Sequence, residues 1–143
     1  MNWRGAFDPT NERSEFGIIG TVADAATYYV AATGSDSGSC AIATNISTPK
    51  GTINNALNCL MPGDTLYIRA GTYTESIDSN QRTIPIGTSW GSPVTIAGYP
   101  GETVVLRPAG SCAVLNLPAP YLQYIVFKDM ILDGAGLGKS QYS

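Results

Sequence analysis

Along most of the chain apolar and polar residues alternate in short bursts, each soon stopped by glycine or proline. "TLYI" (Thr65–Ile68), "PVTI" (Pro93–Ile96), "TVVL" (Thr103–Leu106), "AVLNL" (Ala113–Leu117), "YIVF" (Tyr124–Phe127) and "DMIL" (Asp129–Leu132) each predict a short strand. "YYVAA" (Tyr28–Ala32) predicts another, followed by the turn cluster Thr33–Ser39. "TIPI" (Thr83–Ile86) fits the same pattern. Its Pro85 marks an edge or bent position, because proline has no N–H to give to a ladder.

One segment has a different period. Ile53, Ala56, Leu57 and Leu60 recur at helical spacing and share one apolar face. They predict a helix over Pro49–Met61, with Thr48 as N-cap, Pro49 at the first helical position and Pro62-Gly63 as the stop. A single short amphipathic helix must lay its apolar face on the strands.

Two pairs of segments echo one another. "TLYIRAG" from Thr65 resembles "PVTIAGYPG" from Pro93, and "TVVLRPAG" (Thr103–Gly110) resembles "DMILDGAG" (Asp129–Gly136). Self-similarity at a period of roughly 20–50 residues is the mark of a solenoid, in which each coil stacks short strands on the next. A β-sandwich also contains many short strands with turn signals. In the solenoid a strand is short because it is one side of a coil, and Gly or Pro supplies the corner.

Composition narrows the chemistry. Of 143 residues 43% are hydrophobic and only 13% charged, with a net charge of −3 and no Lys/Arg cluster, so nucleic acid is not an expected partner. No run approaches the roughly 20 apolar residues of a membrane-spanning helix. There is no histidine, which removes the commonest general base and transition-metal ligand. Chemistry is left to carboxylates, Lys, Arg, Tyr or a hard, oxygen-bound ion.

Cys40 and Cys59 bracket an Asn/Ser/Thr-rich segment and are read either as a loop-closing disulfide or as buried thiols; Cys112 is read as a core thiol. Residues 1–26 read as a leader, linker or extension, and the domain as residues 27–143.

The stretch Tyr28–Gly136 resembles the N-terminal part of right-handed parallel β-helix proteins of the pectate-lyase-like superfamily. The resemblance is carried by "YYVAATGSDSGS", "TPKGTINNALNCLMPGDTLYIRAGTYTE", "GSPVTIAGYPGETVVL" and "MILDGAG". It implies an all-β fold: a right-handed parallel β-helix of a few coils, its open end covered by one short N-terminal capping helix. It also implies a secreted or cell-surface protein.

Enzymes of that superfamily are mostly polysaccharide lyases and glycoside hydrolases. In the lyases Ca²⁺ held by carboxylates neutralises a uronate while Lys or Arg takes the proton beside it. Here the candidates are Asp129 and Asp133 for the ion, and Arg107 and Lys128 as basic groups; the second echo sets Arg107 beside Asp133. The plainer reading of the four is a surface salt bridge with a solvated lysine. Asp36 and Asp64 are read as turn and cap residues. Tyr67, Tyr73, Trp90 and Tyr99 form a candidate sugar-stacking platform, or simply pack on a sheet.

Two functions follow. One is an extracellular β-helix module that is surface-exposed, carbohydrate-associated or filament-forming, with polysaccharide or another copy of itself as partner. The other is the N-terminal part of a secreted lyase or hydrolase acting on acidic polysaccharide.

Overall fold

The computed structural model describes residues 24–110, 113–118 and 120–135. Nine strands occur there: β1 (Thr27–Val30), β2 (Thr65–Ile68), β3 (Gly71–Thr74), β4 (Ile77–Asp78), β5 (Val94–Gly98), β6 (Val104–Arg107), β7 (Leu115–Asn116), β8 (Ile125–Lys128) and β9 (Ile131–Leu132). They form three wholly parallel sheets, ordered β1-β2-β5-β8, β3-β6-β9 and β4-β7. From β2 onward the chain visits the three sheets in a fixed rotation. The pairs β2–β5, β5–β8, β3–β6, β6–β9 and β4–β7 therefore join strands a full round apart in sequence, while β1 pairs with β2 directly.

The alternation read from sequence decides which face is inside. In β2, Leu66 and Ile68 are buried while Thr65 and Tyr67 are half-buried on the other face. Register keeps the same side inward from strand to strand, with Leu66 against Ile96 and Ile96 against Phe127. Val30, Ile53, Leu57, Leu66, Ile68, Ile77, Val94, Ile96, Val104 and Leu106 are the largest fully buried side chains, and they belong to one core cluster.

The first echo is out of register. Thr65 pairs with Thr95, not Pro93. The slip is two residues, so the period of two keeps every side chain on its face, which is why the apolar pattern could not detect it. The second echo is in register, Val105 lying against Ile131 and Leu106 against Leu132.

The helix is shorter than expected. It is α1 (Ile53–Ala56), continued by a 3₁₀ turn over Leu57–Cys59. Thr48 does not cap it; its hydroxyl donates to the Ile42 carbonyl. The cap is Thr52, whose side chain accepts from the Asn55 N–H. Pro49 and Lys50 are unavailable to a helix because Lys50 forms a parallel bridge with Val30. Two distant carboxylates hold the start: Glu75 accepts from the N–H groups of Ile53 and Asn54, and Asp36 from Gly51, Thr52 and the Thr52 hydroxyl.

Thr83–Ile86 is not a strand. Pro85 lacks the donor, and the segment is an extended link that still buries Ile84. Conversely β3 and β4 lie in a polar stretch without a clear alternating signal. "AVLNL" contributes only Leu115–Asn116, and "DMIL" only Ile131–Leu132, because Asp129 adopts a left-handed backbone (φ 56°) that turns the corner.

Cys40 and Cys59 form a disulfide, with Cα atoms 5.4 Å apart. It ties the loop after β1 to the 3₁₀ turn behind α1. Cys112 and residues 1–23 lie outside the described residues.

Candidate functional site

The outward face of the four-stranded sheet is built by register. One row across the strands is Thr27, Thr65, Thr95 and Val126; the next is Tyr29, Tyr67, Ala97 and Lys128. Tyr99, just past β5, adds a third ring. The Tyr29 and Tyr67 centroids are 6.2 Å apart and stacked, Tyr67 meets Tyr99 edge-on at 5.5 Å, and Tyr29 lies 6.4 Å from Tyr99. The rings are half-buried, so each keeps part of its surface in water.

Arg69 lies over the Tyr99 ring, 4.7 Å from its centroid. Its Nε donates to both Glu102 oxygens at 2.9 Å. The Arg69 hydrogen bonds, joined by the Ala70 N–H, hold the Glu102 carboxyl below the usual carboxylate range. The pair fixes a neutral edge to the tyrosine cluster. A cleft of about 330 Å³ opens beside it, lined in part by Ala32, Thr33, Arg69 and Glu102.

The expected aromatic platform is split. Tyr67 and Tyr99 come together, with Tyr29 as the member that only register reveals. Tyr73 is in the core, its hydroxyl donating to the Arg69 carbonyl. Trp90 stands elsewhere, 72% exposed, at right angles to Tyr124 with centroids 5.3 Å apart.

The charged candidates gather at the far end of the sheets. Arg107 Nε donates to Asp133 Oδ2 at 2.9 Å, and Lys128 Nζ lies 3.9 Å from Asp129 Oδ2. Asp133 Oδ1 accepts from the Ala135 N–H at 2.9 Å; that bond, then Arg107, keeps its carboxyl below the usual range. Both Asp133 oxygens are thus engaged. Among the described residues no group of three or more His, Cys, Asp or Glu comes together.

Asp64 and Asp36 hold the structure together. Buried Asp64 accepts from Ala26 and Met61 N–H groups at 2.7 and 2.8 Å, joining the entry to β1 with the end of the helical turn. Buried Asp78 accepts from the Asn80 N–H and from the Gln81 and Asn116 side-chain amides.

No family model matches the chain, and no curated protein matches it. A similar solved structure, titled "The complex structure of XylC with xylose", is 33% identical, with a TM-score of 0.48. The likeness covers 57% of this chain and 11% of the solved one. No helix among the described residues is long and apolar enough to cross a membrane.

Proposed function

We propose that this chain forms the capped first coils of a right-handed parallel β-helix and works as an extracellular, carbohydrate-associated module. The rotation through three parallel sheets, with α1 and Lys50 covering the β1 side, supports the solenoid. The Cys40–Cys59 disulfide supports an oxidising compartment. The observation that carries the carbohydrate reading is the cluster of Tyr29, Tyr67 and Tyr99 on an outward sheet face, bordered by a row of threonines. A sugar ring has apolar C–H faces and a hydroxyl rim, and half-exposed tyrosines beside threonines match both.

The test is retention on immobilised polysaccharides, comparing wild type with Tyr67→Ala. Retention lost in the variant supports the reading; no retention on any polysaccharide sinks it. A lyase assay on polygalacturonate with Ca²⁺, followed at the absorbance of the unsaturated product, addresses the enzymatic alternative.

A second reading concerns self-association. Ile131 and Leu132 of β9 are 53% and 48% exposed, and Ile125 and Phe127 of β8 are half-buried. Among the described residues no strand lies beyond this edge, and an apolar edge pairs readily, with further coils of the chain or with a second copy. Sedimentation showing a monomer at high concentration would overturn it.

A further inference from the structure

Four of the five lysines and arginines among the described residues donate a hydrogen bond within the chain, and the fifth, Lys128, lies 3.9 Å from Asp129. Arg69 is held by Glu102, Arg107 by Asp133, and Lys128 faces Asp129. Arg82 donates to the Asn54 carbonyl, and buried Lys50 to the Gly38 carbonyl. An anionic polymer is bound by free cations or through a bridging hard ion, and the carboxylate cluster for such an ion is also missing among these residues.

What the sheet face offers is uncharged. The threonine row supplies hydroxyls that both donate and accept. The tyrosines supply apolar ring and phenol, and Arg69 lies over Tyr99 with its charge met by Glu102. The threonine row runs across the strands from β1 through β2 to β5 at the strand spacing of about 4.8 Å, while the tyrosine row holds Tyr29 and Tyr67 on β1 and β2 and is extended by Tyr99 just past β5, beyond buried Ala97. The rings hold one another by stacking and edge contact, so little rotamer freedom remains to be lost when something binds.

We infer, building on the carbohydrate reading above, that this face takes a neutral glycan chain, free of uronate and sulfate, laid across the strands over Tyr29, Tyr67 and Tyr99. Such binding depends on ring contact and hydroxyl exchange, and salt does not screen it. Lys128 stands in the tyrosine row but one strand beyond Ala97, and it contributes nothing to the affinity.

The experiment is calorimetric titration of the intact chain with cellohexaose, xylohexaose and hexagalacturonate, at ~0.05 and ~0.5 M sodium chloride. The expected result is binding of a neutral hexasaccharide that changes less than about twofold with salt. Tyr67→Ala then weakens it by about tenfold or more, while Lys128→Ala stays within about twofold. An unchanged melting temperature of Tyr67→Ala itself establishes that its loss is of contact rather than of fold, and Tyr67→Phe, which keeps the ring packing, should retain most of the binding. Salt-sensitive binding of hexagalacturonate, lost in Lys128→Ala, overturns the neutral-glycan inference and leaves the carbohydrate reading standing. Neutral binding indifferent to Tyr67→Ala overturns this face as the site. Binding of none of the three at either salt overturns both.

Discussion

The backbone of Gly98 and the carbonyl of Asp129 approach so closely that a Cβ on Gly98 would sit 1.9 Å from the Asp129 oxygen. Gly98 ends β5, and Asp129 turns the corner after β8, the neighbouring strand of the same sheet. No real Cβ tolerates that distance, and the obstacle is backbone, which cannot rotate away. Gly98→Ala is therefore expected to destabilise the fold by about 2 kcal/mol or more, through a forced shift of the β8–β9 corner. Chemical denaturation that finds the variant as stable as wild type refutes this.

Leu57 is 1% exposed inside the core cluster where α1 meets β1 and β2. Leu57→Asp buries a carboxylate with no partner and is expected to cost several kcal/mol or abolish folding. Leu57→Met, which conserves volume, should cost less than about 1.5 kcal/mol. Two similar melting curves would place Leu57 outside the core.

The Cys40–Cys59 link spans a separation of 19 residues. By loop entropy its removal, as Cys40→Ser with Cys59→Ser, costs about 3 kcal/mol. Wild type in reductant should lose a comparable amount under urea. An unchanged midpoint would show the link to be energetically idle.

Three carboxyls titrate below their ordinary range. For Asp36, partial burial pushes upward, but bonds from Thr52 and Gly51 with the Lys50 charge outweigh it; Glu102 is lowered by Arg69, and Asp133 by Ala135 and Arg107. A depressed folded value means stabilisation that is complete above the unfolded carboxylate range, about pH 4, and lost as pH falls through the folded values. A modest decline in stability is thus expected as pH falls below about 4, with no contribution from these three groups to any change between there and neutrality. In Asp36→Asn the decline should be shallower. Loss of stability between pH 7 and pH 5 would contradict the assignment.

The Arg107–Asp133 pair is exposed, and exposed pairs do little for stability. Arg107→Ala is expected to leave the melting temperature almost unchanged at physiological salt. A large drop would show that the pair anchors the edge of β9.

What the sequence disclosed depends on range. Strands β2, β5, β6 and β8 were legible because alternation is a local signal, and so were the core residues Leu66, Ile68, Val94 and Ile96. The meeting of Arg107 with Asp133 was legible because the second echo preserves register. The start of α1 was hidden, since Lys50 is claimed by Val30 and Ile53 is capped by Glu75, both distant in sequence. Tyr29 was hidden from the aromatic cluster for the same reason: its neighbour Tyr67 becomes a neighbour only through pairing. Tyr73 shows the converse error, an aromatic in a polar stretch that turns inward.

Residues that meet across neighbouring strands lie from 26 to 38 positions apart, although the strands themselves keep one spacing. Ladder and corner lengths are therefore separate variables. Evolution can add or delete residues in an exposed segment such as Thr88–Gly91, where Trp90 already projects, without re-pairing a single strand. The rim can thus vary in length and sequence while the paired sheets stay constant, and a protein engineer could graft a peptide at that same segment.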